Sequence, residues 1–312
     1  MRIFHWRKAR PAGRRLTVSA CLALLTATVV WLAPAAPAAA VVDVGGWRAS
    51  YTVGTEEFDV PSVDDGRMLW AEYGTDTVAG GALHLYDVES TQSRSVPLAG
   101  IHPMFPKLDG ERAVFQGYSR TGEPTGPDTG IYLYSFAEEK LRKLSADGWQ
   151  AQAVSTAGDV IAWVENRFDA QGDESLRVML HRVATDQTAV LVAREREDGG
   201  VWVAQVSERW VLVRSLSLAT GGPKYHYVAY PTDGTAPKDV DLQGGVAAAL
   251  DGDALYYTLA SPTGGSNPTL PAPAPRHELR VRDLTDGGDA LVATSAEPIQ
   301  SVCVDGTRVA WA

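Results

Sequence analysis

An all-β chain folded as a six-bladed β-propeller is what this sequence predicts, and three observations predict it. First, six stretches share one pattern of a short apolar run, a turn and an apolar run closing on a bulky residue: Val63 to Trp70, Leu108 to Phe115, Thr156 to Trp163, Val206 to Val213, Leu250 to Tyr257 and Val304 to Trp311. Second, their anchors at 64, 109, 157, 207, 251 and 305 are spaced by 45, 48, 50, 44 and 54 residues, the period of a propeller blade. Third, no stretch beyond residue 40 carries a helical period, whereas short β-rich runs bounded by Asp-Gly turns recur throughout.

The first 40 residues stand apart. They hold six basic side chains (Arg2, Arg7, Lys8, Arg10, Arg14, Arg15) and no acidic one, then the apolar run Leu16 to Leu32, then an Ala/Pro stretch ending in Ala38-Ala39-Ala40. Basic, apolar and small-residue segments in that order predict a signal peptide over 1–40, a mature start at Val41 and a secreted or extracytoplasmic location. An uncleaved anchor is the alternative, because the run is nearly long enough to span a bilayer. Cys21 lies too early in the apolar run for a lipoprotein cleavage box, and Thr17, where an apolar residue is expected after Arg14-Arg15, favours an ordinary basic region over a twin-arginine signal, which stays the lesser option.

Removing that segment takes six of the 28 Lys and Arg and leaves 22 against 38 Asp and Glu, a net charge of −16. Such a surface repels nucleic acid and reads as solubility outside the cell, with no membrane contact after cleavage and a monomer expected. Of the two cysteines only Cys303 remains, so no internal disulfide forms and the core must hold the domain, 41–312, by itself. No Asp-x-Asp-x-Asp-Gly loop suggests a metal, and no cofactor motif is present, so none is expected.

One repeat reads as four strands. Met104 to Leu108 and Arg112 to Gln116 flank the hairpin dipeptide Asp109-Gly110, and Ile131 to Ser135 and Leu141 to Leu144 follow a Gly/Pro-rich connection. Five repeats are complete by this reading. The sixth has two strands, and Val41 to Val44 with Arg48 to Val53 align with a third and fourth, so the last blade is expected to be shared between the two ends.

With Asp-Gly-x-apolar-apolar-aromatic followed by Leu83-His84-Leu85-Tyr86-Asp87, the units resemble the TolB-like, WD-repeat-related propellers of exported bacterial proteins. Ala157 and Ser207 replace the anchor Asp in two blades. The resemblance implies a binding scaffold more often than an enzyme, although fold alone does not decide function.

Long connections cluster on one face: Gly74 to Ala82, Gly117 to Gly130, Glu165 to Ser175, Arg214 to Lys224 and Ala260 to His277. Repeat proteins keep their sites on such faces. Aligned innermost strands place Asp59, Met104, Gln152, Trp202, Val246 and Gln300 in a ring at the channel mouth, with His102 and Trp149 beside it; aromatic rings among amides and a carboxylate suit a sugar or a peptide end. No linear catalytic motif occurs. The expectation is therefore a non-catalytic module that recognises a protein, peptide or glycan at Asp59, His102, Met104, Trp149, Gln152, Trp202 and Gln300. A glycosidase-like hydrolase with carboxylates across the channel, from Asp59, Glu72, Asp128, Glu165 and Asp173, is the alternative.

Overall fold

The computed structural model describes residues 39–44, 47–52, 61–72, 80–118, 129–169, 171–195, 200–217, 224–260, 276–299, 302–305 and 308–311. They form twenty-four strands. Five four-stranded antiparallel sheets follow in chain order. Blade one is β3 (Ser62–Asp64), β4 (Arg67–Glu72), β5 (Ala82–Asp87) and β6 (Gln92–Pro97); blade two is β7 (His102–Asp109), β8 (Arg112–Tyr118), β9 (Gly130–Ser135) and β10 (Lys140–Lys143). Blade three is β11 (Gln150–Ala157), β12 (Val160–Phe168), β13 (Glu174–Arg182) and β14 (Gln187–Glu195); blade four is β15 (Val201–Val206), β16 (Trp210–Ser217), β17 (Lys224–Pro231) and β18 (Lys238–Val240). Blade five is β19 (Val246–Asp251), β20 (Ala254–Ala260), β21 (His277–Asp283) and β22 (Asp289–Ser295).

Two hairpins remain, β1 (Ala39–Val44) with β2 (Trp47–Thr52), and β23 (Val302–Asp305) with β24 (Arg308–Trp311). Among the described residues no ladder joins them. Five complete blades and a sixth shared between the two ends were expected; five four-stranded sheets appear, with these two hairpins as separate two-stranded sheets.

Blades two to five are packed on both faces because their strands alternate between two neighbours. On β12, Ala162 and Val164 meet Val201, Val211 and Val213 of blade four, while Ile161 and Trp163 meet Val114, Ile131 and Leu133 of blade two. The closing aromatic of the repeat thus faces backward, as Phe115 does against Leu69 and Ala71 of blade one and Tyr257 against Leu212 and Tyr227 of blade four. The same packing puts β23 and β24 on blade five, where Val302, Val304 and Val309 cover Tyr256, Leu279 and Ile299.

The anchor positions have a structural job at the short-turn end. Asp64 Oδ2 accepts the Gly110 amide of the next blade at 2.7 Å, and Asp109 Oδ2 accepts the Thr156 hydroxyl at 3.1 Å. Ser207, one of the two departures, instead donates its hydroxyl to Gly252 O at 2.8 Å. An acceptor and a donor serve equally because the neighbouring turn offers both an N–H and a C=O.

Another contact at this end titrates. His181 is buried, with Nδ1 2.9 Å from Thr188 Oγ1 and Nε2 3.1 Å from the Arg142 guanidinium of blade two. Arginine only donates, so Nε2 holds the lone pair and Nδ1 the proton. Burial, then the charge of Arg142, holds His181 below its ordinary value of 6.5, with Asp186 and Asp159 pulling the other way. The unfolded chain therefore takes up a proton that the folded blade refuses. The stability His181 contributes is present above 6.5 and drains as pH falls toward its folded value. Thermal melts from neutral to mildly acidic pH should show a loss that His181→Gln reduces; equal slopes in the two proteins count against this account.

Candidate functional site

In every complete blade the first strand begins, and the second ends, at the face opposite the short turns. First strands β3, β7, β11, β15, β19 and β23 contact one another in succession, which places them around the axis. Near their starts, Met104, Gln152, Trp202 and Val246 occupy equivalent ladder positions, opposite Gln116, Val164, Arg214 and Thr258. A β-bulge follows each of them. At two bulges a non-glycine residue takes a left-handed conformation, Phe105 at φ 51° and Ala153 at φ 54°, and Phe105 is 57 % exposed. Bulges re-aim side chains at strand ends, and their recurrence at this level makes the mouth irregular by design of the repeat.

Of the other sequence candidates, Asp59, Asp128 and Gln300 lie outside the described residues. His102 is 1 % exposed and stacks on Tyr118 at 5.4 Å, so it belongs to the packing beneath the mouth. Asp173 is exposed in the turn after β12, where its amide donates to Asp169. Among the five long connections, those at 73–79, 119–128, 218–223 and 261–275 also fall outside the described residues.

Three side-chain groups stand at this face, on blades one, three and four. On blade three, β12 runs to Phe168, further than the sequence suggested, and Glu165 becomes a strand residue with no solvent exposure. Its Oε1 accepts the Trp163 indole N–H at 2.9 Å and the Ala146 amide at 3.2 Å, and Oε2 pairs with Arg177 at 2.6 Å. Arg177 lies 3.7 Å from the centre of the Trp149 ring, with Arg167 at 4.8 Å. Every lone-pair direction of this carboxylate is answered, so Glu165 is a strut between blades two and three. The alternating face carries a second polar set, Asn166 Nδ2 donating to Glu174 at 2.9 Å and to Gln150 at 3.3 Å.

On blade one, Glu72 ends β4 where the 73–79 connection departs. It holds His84 of β5 by a direct contact between Oε2 and Nε2, and His84 stacks on Trp70 at 5.2 Å. Their side chains are 38 % and 22 % exposed, which makes this the reachable carboxylate of the pair at equivalent repeat positions, Glu72 and Glu165. The contact joins an imidazole nitrogen to a carboxylate oxygen, two groups between which a proton can pass.

On blade four, Arg214 projects from the central β16 between Trp202 of β15 and Tyr225 of β17, with its guanidinium carbon 5.3 and 4.8 Å from the two ring centres. Gly200 makes room, since a Cβ there would stand 2.4 Å from the Trp202 ring. Sequence reading found Trp202 and missed Arg214 as a functional side chain, because Arg214 read as the start of a connection. Its position seven residues past the anchor, opposite a predicted ring member, was the available signal. Among the described residues no three His, Cys, Asp or Glu side chains gather to hold a metal ion.

No family model and no curated protein matches the chain. Solved structures do. The β-propeller domain of the Trilobed protease from Pyrococcus furiosus is 11% identical with a TM-score of 0.58, over 86% of this chain and 80% of that one. An oligogalacturonate lyase in complex with manganese is 12% identical with a TM-score of 0.50, over 76% of this chain; the chain spans 64% of the lyase's length. Pyrococcus horikoshii acylaminoacyl peptidase is 10% identical with a TM-score of 0.52, over 82% of this chain and 42% of the peptidase.

These similarities overturn the expectation of a non-catalytic binding module. That expectation rested on the lack of linear catalytic motifs, and its error is physical: in a propeller, side chains that meet come from different strands, so no short motif need record them. The structures that share this architecture include a lyase and a peptidase. The chain is an all-β protein with the β-propeller fold.

Proposed function

We propose that this chain is an exported enzyme that cleaves a glycan at its long-connection face, with Glu72 and His84 as the proton-transfer pair. The observation that carries the reading is the Glu72–His84 contact beside Trp70, at the root of a long connection and open to solvent. Glycosidic cleavage needs a group that gives or takes a proton at the bridging oxygen or the sugar ring, and a carboxylate sharing a proton with an imidazole does this in either direction. Indole rings at the same end, Trp70 and Trp202, suit the apolar face of a sugar better than an extended peptide backbone. The saccharide lyase among the similar structures supports the same choice. The test is incubation of the purified protein with panels of neutral and uronate oligosaccharides and of peptides, followed by mass analysis. Shortened saccharides are expected. Folded protein that leaves every saccharide intact sinks the reading.

Two finer features belong to this proposal. The units are related to TolB-like and WD-repeat propellers, and the two hairpins complete one sixth blade between them, which their equal two-strand make-up and the packing of β23 on blade five support. Deleting residues 41–53 should then lower the melting temperature, whereas an unchanged melt refutes the shared blade. Export with loss of residues 1–40 predicts that the protein recovered from the medium begins at Val41, as N-terminal sequencing reads directly.

A further inference from the structure

We infer that Arg214 is the binding site for a ligand carboxylate. The observation is an unanswered donor. Arg214 Nε is buried and has no hydrogen-bond partner, and the side chain has no ion-pair partner among the described residues. Arg177 on the neighbouring blade gives the contrast, since it lies on an indole in the same way but uses its charge on Glu165. A buried polar group left unpaired is costly and rare in native structures, and at a functional face it marks a place where a partner arrives.

The flanking residues define what that partner can be. Trp202 and Tyr225 flank the guanidinium, their ring centres 5.3 and 4.8 Å from its carbon. A planar fork of donors matches two carboxylate oxygens. Trp202 then offers its ring beside the carboxylate. Tyr225, on β17, is 53 % exposed, so the ligand approaches Nε from its side. The position, opposite Trp202 at the start of β15, puts the site at the face where the first strands begin.

This inference deepens the glycan reading and shares its face: the substrate it implies carries a carboxylate, as a uronate sugar does. A peptide C-terminus offers the same chemistry, and the experiment separates the two. Binding of trigalacturonate and of its methyl ester, and of trialanine and of its amide, is measured by calorimetry with the purified wild type, Arg214→Lys and Arg214→Gln. One acid should bind at least about 10-fold more tightly than its neutral counterpart in the wild type, and both variants should lose most of that preference, because lysine keeps the charge without the fork. The Lys variant guards against misfolding, and quenching of the intrinsic tryptophan fluorescence by the acid alone, lost in Trp202→Phe, is a readout that a structural role does not move. Equal binding of acid and neutral forms, no binding of either acid, or a preference that survives in Arg214→Lys overturns the site. Preference for the peptide acid alone supports the carboxylate site and removes the glycan reading.

Discussion

Trp163→Ala is expected to lower the unfolding free energy by about 3–5 kcal/mol, the range for emptying a large aromatic site in a packed core. Trp163 has no solvent exposure and fills the space between blades two and three against Val114, Ile131, Leu133 and Met179. Its indole also supplies one of the donors that satisfy the buried Glu165, so the variant leaves both a cavity and a carboxylate short of a partner. Denaturant unfolding followed by far-ultraviolet circular dichroism measures the loss, and the melting temperature should fall on the order of 10 °C. Trp163→Phe restores most of the volume without the N–H and should lie between. A loss for Trp163→Ala no larger than about 1 kcal/mol, typical of a surface change, shows that the blades do not depend on this contact.

Glu72→Gln and His84→Gln are each expected to reduce turnover of a glycan substrate by about 10²–10⁴-fold, the usual contribution of a positioned acid or base. Both replacements keep size and hydrogen-bonding capacity, so the fold should be unaffected and KM should change far less than kcat. Because the two groups share one contact, their effects should not add, and the double variant should resemble the worse single one. Glu165→Gln is the matched control at the equivalent position of blade three. It should cost stability through its pair with Arg177 and leave turnover in the folded fraction nearly unchanged. If Glu165→Gln abolishes turnover while Glu72→Gln does not, the assignment of the two carboxylates is reversed.

Particular residues show how far the chain could be read without coordinates. The Asp109-Gly110 dipeptide and the β-rich runs around it were enough for the β7–β8 hairpin, since turn chemistry and strand pattern are local. Phe115, Trp163 and Tyr257, the bulky ends of three repeats, are buried in the core, and the apolar runs that they close were legible for the same reason. Why the anchor is Asp could not be read, because Asp64 and Asp109 act on turns in the next blade, more than 40 residues away. Glu165 was misjudged as a loop carboxylate. Its burial depends on where β12 stops, and strand ends depend on the neighbouring sheet more than on propensity.

The sequence by itself determined the all-β architecture, the repeat and the face on which long connections gather, because hydrophobic period and turn residues are set by each stretch of chain alone. Only the tertiary structure decided which polar side chains meet. It separated Glu72, reachable and joined to His84, from Glu165, sealed against Arg177, and it set Arg214 between two rings without a partner for Nε. The physical reason is that a blade brings together residues from separate strands. Charge compensation is then a property of neighbours in space, which spacing along the chain does not encode.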